Sequence, residues 1–505
     1  ILLVPDTAAH KTSPTFGRMD MMLLYVFASC AVIDKPADLT LDAAKALHAN
    51  LRRDAEATMR RHNHPLVSRS VKTAAAPGTW PVFNPVIYGA DPSGVKDSTG
   101  AIHAALNDLF RQTNKSSGPT MASGIADLGG ATLDLAGGQY LISKPIVIPP
   151  MVGNLHLRDG TLRASPSFPP AMWLVSVGNA TTCKPILPSG KPDAQASCNE
   201  GVTLSNMLFD AAHVAAGGVY AGAVMGTVIT SAFFTGFTQI GISIEHGHEV
   251  MVSETWLASC YWSDAERCRK GSSATSIGVR INGNDHYIFN TIIFDYTGVG
   301  VEVLGAANLL EAVHTWNGGG VGIALGSASS SYGAHQNRLL GCYLDYNTLD
   351  MYDPSAVVVE STFFLATHAI LHAGVKGTID GLVMRYNSYT TPQSVVLDGA
   401  FTSAKGVVIS GEMGAAKSTT ATKELTRSFD AAQARGAALR FDFDFADELL
   451  FGWIEDVKYT VTMKSGFAHH VARPANGTSV VVELGFAGLP APQSATVRMT
   501  VTQAQ

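Results

Sequence analysis

His248-Glu249-Val250-Met251-Val252, Asp285-His286-Tyr287-Ile288-Phe289, Asn308-Leu309-Leu310 and Asn337-Arg338-Leu339-Leu340 follow one another along the chain. Each segment opens on a polar residue, runs into a short apolar or β-branched strand and turns through Gly or Asn. The openers are 36 residues apart from Glu249 to Asp285, then 23 to Asn308 and 29 to Asn337. A coil of about 23 residues with insertions of variable length accounts for all three offsets, and that periodicity is the signature of a parallel β-helix. In this register Glu249 and Asp285 occupy equivalent positions, with His248 and His286 beside them, and Asn308 and Asn337 continue the column.

A solenoid offers no single pocket but a long ridged face, walled by insertions at the turns, on which a linear polymer can lie. Extended polysaccharide is therefore the first substrate class to consider. Composition agrees: 49 glycines serve sharp corners, where φ must be positive, and only 15% of residues are charged. The chain has 505 residues, and a solenoid can absorb that length by adding coils. A net charge of -6 argues against a nucleic-acid footprint and provides no general attraction for an acidic polymer. No dinucleotide fingerprint, P-loop or zinc-spaced cluster is present, so neither cofactor nor metal is expected.

Toward the N-terminus, the apolar stretch Met21 to Ile33 is too short to span a bilayer and ends among small residues. It reads as a signal-peptide core cleaved near Ala31 within a leader over 1–35, with Met19 as the start and residues 1–18 upstream of it or part of a longer leader; a buried strand is the alternative. Residues 36–80 carry a helical stripe of Leu41, Ala44, Leu47 and Leu51, then a linker rich in Ala, Pro and Gly. No stable membrane insertion is expected. Cys183 with Cys198, and Cys260 with Cys268, each close a short loop that a disulfide would staple in an oxidising compartment, buried free thiols being the alternative. Asn114, Asn179 and Asn476 head N-glycosylation sequons.

Val86 to Gly94 reads as a strand into a turn, and Asp97-Ser98-Thr99 is placed to cap a helix through Ala101, Ile102, Ala105, Leu106 and Leu109. Gly129 to Leu135 and Gly137 to Ile142 then lead to Pro145-Ile146-Val147-Ile148-Pro149. This order resembles the first coil of the pectate-lyase-like superfamily, in which a helix plugs the open end of the solenoid. Gly137–Ile142, Gly153–Ser165, Gly247–Glu249, Gly283–Asp285, Ala306–His314 and Gln336–Tyr346 narrow the resemblance to the quartet-type plant polygalacturonases, divergent relatives of family 28 glycoside hydrolases. The resemblance implies an all-β fold, a right-handed parallel β-helix over 81–425, and a secreted, monomeric cell-wall hydrolase acting on de-esterified pectin. Strict alternation in Leu439 to Phe445 and in later segments adds a small antiparallel β module over 426–505, a structural cap or a carbohydrate-binding unit.

Hydrolysis of a glycosidic bond generally takes two carboxyl groups, whose separation sets the stereochemical outcome. On stacked coils roughly 4.8 Å apart, neighbours one coil apart fall near the spacing of a retaining pair, and diagonal or second neighbours nearer that of an inverting pair. Glu249 and Asp285, flanked by His248, are the first candidates; the alternative is a polar ladder that only satisfies backbone groups. The charged insertion Cys260–Ser273 offers Asp264 or Glu266 as an acid and Arg267 as a bidentate partner for a uronate carboxylate, or is a solvated loop. Arg280, His286, His314, Arg338 and Asp345 are candidate substrate contacts, with Asp210 behind them. Family 28 enzymes carry a paired Asp-Asp, a Gly-His-Gly and an Arg-Ile-Lys; this chain has no Asp-Asp, reads His246-Gly247-His248, and has Asn282 after Arg280-Ile281. The usual catalytic aspartates of the family therefore do not transfer onto any position of this chain. A calcium-dependent pectate-lyase-like elimination and a non-catalytic pectin-binding protein remain as competing readings.

Overall fold

A computed structural model describes residues 81–505, apart from 114–123, 181–182, 184–196, 261–275, 317–319, 331–332, 392–393, 415–423, 434–438, 447–448, 452, 464–467, 487–492 and 504–505. The leader and helical segment over 1–80, Asn114, and the loop carrying Asp264, Glu266, Arg267 and Cys268 thus lie outside the described residues.

Each coil contributes up to three strands, and every strand pairs in parallel with its counterpart in the coils before and after. Val228–Thr230, Met251–Ser253, Tyr287–Phe294, Leu309–Trp316, Arg338–Leu340, Val358–Glu360, Val383–Arg385 and Val408–Ser410 run along the first face. Phe233–Thr235, Trp256–Ala258, the second half of the two long strands, Tyr343–Asp345 and Phe363–Leu365 make the second. Ile240–His248, Ile277–Asn282, Val299–Val303, Val321–Leu325, Thr348–Tyr352, Ala369–His372 and Val395–Asp398 make the third. The chain is a right-handed parallel β-helix, the hand that parallel crossovers adopt almost without exception.

Period-two alternation sends one residue in two inward, where like residues stack coil on coil. Ile229, Val252, Ile288, Leu310, Leu339, Val359, Met384 and Ile409 form one such buried stack, and Ile244, Ile281, Val303, Leu325, Met351 and Leu371 another. Their burial, at roughly 25 cal/mol per Å² of apolar surface, is the main force that holds the coils together. A helix over Thr99–Thr113 adds Ile102, Ala105, Leu106 and Leu109 to the same core. Its first turn is capped by Asp97, whose Oδ1 accepts from the Thr99 amide at 2.9 Å. Near the other end, two three-stranded antiparallel sheets enclose a core of their own that includes Phe441, Phe443, Phe445, Val480, Val482, Val497 and Val501.

The corner between the third and first faces turns on one left-handed residue, two positions before the first-face strand, and this residue recurs at the same place in successive coils. Gly201, Gly226, Glu249, Asp285, Ala307, Gln336, Ala356, Gly381 and Gly406 all have φ between 49° and 72°. Pairing of Met251 with Tyr287 puts Glu249 level with Asp285, while pairing of Tyr287 with Leu309 and Leu309 with Arg338 puts Ala307 and Gln336 next in that column. This corrects the register read from sequence by one residue. Asn308 and Asn337 follow His286, in the neighbouring buried column, rather than Asp285.

Candidate functional site

The corner holds Glu249 and Asp285 side by side because each caps a strand of adjacent coils, and the Glu249 amide donates to the Asp285 carbonyl at 3.2 Å. Oxygens of Glu249 and Asp285 and a ring nitrogen of His248 all lie within 4.8 Å of one another. His248 Nδ1 is 3.5 Å from Asp285 Oδ2, and the Asn284 side-chain amide donates to the same oxygen at 2.9 Å. Asp285 is thereby fixed in orientation, whereas the exposed Glu249 carboxylate has no side-chain partner among the described residues.

His286 is adjacent in sequence but is fully buried and does not reach a polymer on the surface. Its Nδ1 accepts from the Val250 amide at 3.1 Å, its own amide donates to Asn308 Oδ1 at 2.9 Å, and the Asn308 amide donates to Asn337 Oδ1 at 3.0 Å. This is the polar ladder, one column inward from the acids, so ladder and acid pair are different structures. Burial, and secondarily His248, push the His286 pKa down to about 4 against the pull of Asp285.

The other expected contacts are spread over the three faces. Arg280 lies on the third face with its Nε 2.6 Å from Glu302, so its charge is already paired. Arg338 is exposed on the first face. His314 and Asp345 belong to the second, where the His314 ring stacks on Tyr343 with centroids 4.2 Å apart and Nε2 is 4.0 Å from Asp345. Neither Arg338 nor the His314–Asp345 pair joins the corner cluster. Asp210 is buried and ends its strand, accepting from the Ala212 amide and facing Arg163 at 3.3 Å. Cys183 and Cys198 form a disulfide with Cα atoms 5.9 Å apart, and Cys260 is also disulfide-bonded. Asn476 is exposed beside its hairpin, while Asn179 is half-buried.

A polar row on the outer side of the third face was, apart from Arg280, not singled out by sequence reasoning. Its inward neighbours Ile244, Ile281, Val303, Met351 and Leu371 are fully buried, which turns Glu245, Arg280, Asn282, Glu302, Asp350, Tyr352, His372 and Asp398 outward. Glu245 accepts from Ser243 at 2.9 Å and from the Asn282 amide at 3.0 Å. Further along, His372 bridges Asp350 at 3.1 Å and Asp398 at 2.8 Å, with its ring stacked on Tyr352. The available signal was the alternation in Thr348-Leu349-Asp350-Met351-Tyr352 and Ala369-Ile370-Leu371-His372, which shows polar side chains on one side but not that they meet across coils.

No protein-family model matches the chain. Over 479 residues, 93% of this chain and 92% of the relative, it is 32% identical to the polygalacturonase QRT3 of Arabidopsis thaliana. The chain belongs to the quartet-type plant polygalacturonases. Solved structures with a looser likeness include the tailspike protein of E. coli bacteriophage HK620 in complex with a pentasaccharide, with TM-score 0.47 and 10% identity over 84% of this chain and 94% of that one. Another is the A-module of the Azotobacter vinelandii mannuronan C-5 epimerase, with TM-score 0.42 and 11% identity over 66% and 99%. Within the quartet-type family this chain's acid pair stands at a coil corner, with no Asp-Asp on any strand. No helix among the described residues is long and apolar enough to cross a membrane.

Proposed function

We propose that this member of the family is a secreted glycoprotein that hydrolyses α-1,4-galacturonosyl bonds of de-esterified pectin in cell walls, acting as a monomer. The observation that carries the reading is the relative named a polygalacturonase, matched along nearly the whole of both chains. The corner supports it with two carboxyl groups within 4.8 Å, closer to the separation of a retaining pair than to that of an inverting one. In this reading Glu249 donates its proton to the glycosidic oxygen as the bond from C1 to that oxygen breaks. Asp285, oriented by Asn284 and His248, attacks C1 and forms a glycosyl ester. Water then cleaves the ester, giving its proton to Glu249, so the configuration at C1 is retained. The charged segment with Asp264, Glu266 and Arg267 lies in sequence between the strands Trp256–Ala258 and Ile277–Asn282, the second of which leads into the Asp285 corner, and in this reading Arg267 pairs with a uronate carboxylate.

A second reading has one observation in its favour. An imidazole nitrogen and two carboxylates this close are also a donor set for a divalent cation. A cation held there would serve calcium-dependent elimination rather than hydrolysis. Product chemistry separates the two: the hydrolase reading expects saturated ends, insensitivity to chelator and retained configuration by NMR. Ultraviolet-absorbing unsaturated ends that disappear with chelator would replace it by the lyase.

A further inference from the structure

The third face carries a second arrangement that the corner chemistry does not use. His372 stands between two carboxylates, with Nε2 toward Asp350 Oδ2 and Nδ1 toward Asp398 Oδ2. Asp350 is nearly buried, and its other oxygen accepts from the Thr348 hydroxyl at 2.5 Å, so the inner end of the row is anchored. Tyr352 covers one face of the imidazole, with ring centroids 4.4 Å apart and planes 14° from parallel. Asp398, at the outer end, is 67% exposed in its side chain, and its second oxygen has no partner among the described residues. An exposed aspartate normally samples several rotamers. Here the chain from Thr348 through Asp350 and His372 holds Asp398 in one of them, so a hydrogen-bond acceptor is presented to solvent already oriented.

Place along the solenoid gives this acceptor its meaning. Each coil adds roughly 4.8 Å. The strands bearing Asp350, His372 and Asp398 precede corners three, four and five coils beyond that of Asp285, so the row lies roughly 14–24 Å along the same face from the acid pair. A sugar unit in an extended polymer is about as long as one coil is thick.

We propose that Asp350, His372, Asp398 and Tyr352 form a distal subsite for a pectic polymer, with Asp398 accepting hydrogen bonds from sugar hydroxyls several units from the bond that is cut. A uronate carboxylate is repelled by this carboxylate-rich row, so the polymer must turn its hydroxyl edge toward the sheet here, which fixes its orientation in the groove. The proposal rests on the proposed action on pectin and adds that the polymer runs from the corner along the third face.

The test measures equilibrium binding of the full chain to long polygalacturonate and to trigalacturonate, for wild type, Asp398→Ala and His372→Gln, with thermal melts to confirm folding. Asp398→Ala is expected to weaken binding of the long polymer about tenfold, in line with loss of a hydrogen bond to a charged group, and to leave the trimer unchanged. His372→Gln, which frees Asp398 to move, should give part of the same loss. Equal losses on both ligands would mark a structural role and overturn the proposal, as would unchanged binding of the polymer. A wild type that binds neither ligand overturns this proposal together with the pectin reading, whereas polymer-selective loss without any cleavage sustains the subsite and refutes only the hydrolase.

Discussion

At the scale of single residues, His286 shows how a ladder position can be filled imperfectly. Asn308 and Asn337 each satisfy both sides of the ladder, accepting a backbone amide through Oδ1 and donating through Nδ2 to the carbonyls of Gly283 and Gly305 at 3.2 and 3.1 Å. His286 accepts the Val250 amide, but its buried Nε2 has no hydrogen-bond partner among the described residues. Its depressed pKa means the native state holds fewer protons than the unfolded chain between pH 6.5 and about 4. The stability it contributes is present above pH 6.5 and is lost as pH falls through 4, on the order of 3 kcal/mol. His286→Asn completes the ladder, so it should melt at or above the wild-type temperature at pH 7 and lose less between pH 7 and 4. Glu412 behaves oppositely: burial pushes its pKa up to about 7, partly offset by the nearby Tyr389 hydroxyl and by hydrogen bonds from Asn387. The native state then binds the extra proton, so stability is full below pH 4.5 and declines as pH rises through 7. Glu412→Gln should flatten that decline in melts taken from pH 4 to 8; a slope identical to wild type would contradict the assignment.

At the scale of elements, the corners carry both the fold and the site. Asp353 illustrates how one carboxylate organises a turn: Oδ1 accepts from the amides of Gly374 and Thr378 at 3.0 and 3.1 Å, and Oδ2 from that of Lys376 at 2.7 Å. It is buried, so Asp353→Ala leaves three donors without this acceptor and should cost about 3 kcal/mol in denaturant unfolding. The exposed Arg338→Ala should change stability by less than about 0.5 kcal/mol. Elements of this kind were legible to different degrees. The strands after Glu249 and Asp285 could be read because polar opener, apolar run and turn repeat. The capping helix could be read from Asp97-Ser98-Thr99 and the spacing of Ile102, Ala105, Leu106 and Leu109. The one-residue slip at Asn308 arose because Asp285-His286 and Ala307-Asn308 both offer a polar residue before the strand, and only hydrogen-bonded register tells which of them shares the Glu249 column.

At the scale of the whole molecule, the solenoid explains why the candidate site was only half visible. Glu249 and Asp285 could be paired from the repeat alone, since neighbouring coils bring residues 36 apart in sequence to one corner. Asp350, His372 and Asp398 come together by the same stacking, but their strands are short and irregularly spaced, and each looks like an ordinary half-buried strand in isolation. His314, Asp345 and Arg338 were plausible by residue type and lie on other faces, a distinction that needs the three-sided cross-section. The central claim is that this three-sided solenoid cuts pectin with the acid pair at its corner. The most direct measurement is reducing-end release from polygalacturonate by the full chain, beside Glu249→Gln and Asp285→Asn variants shown by melting to be folded. Release by wild type, with a loss of at least about a hundredfold in each variant, is the predicted result. Undiminished release by both variants would contradict the assignment of the corner, and a folded wild type that binds the polymer and releases no ends would contradict the hydrolase itself.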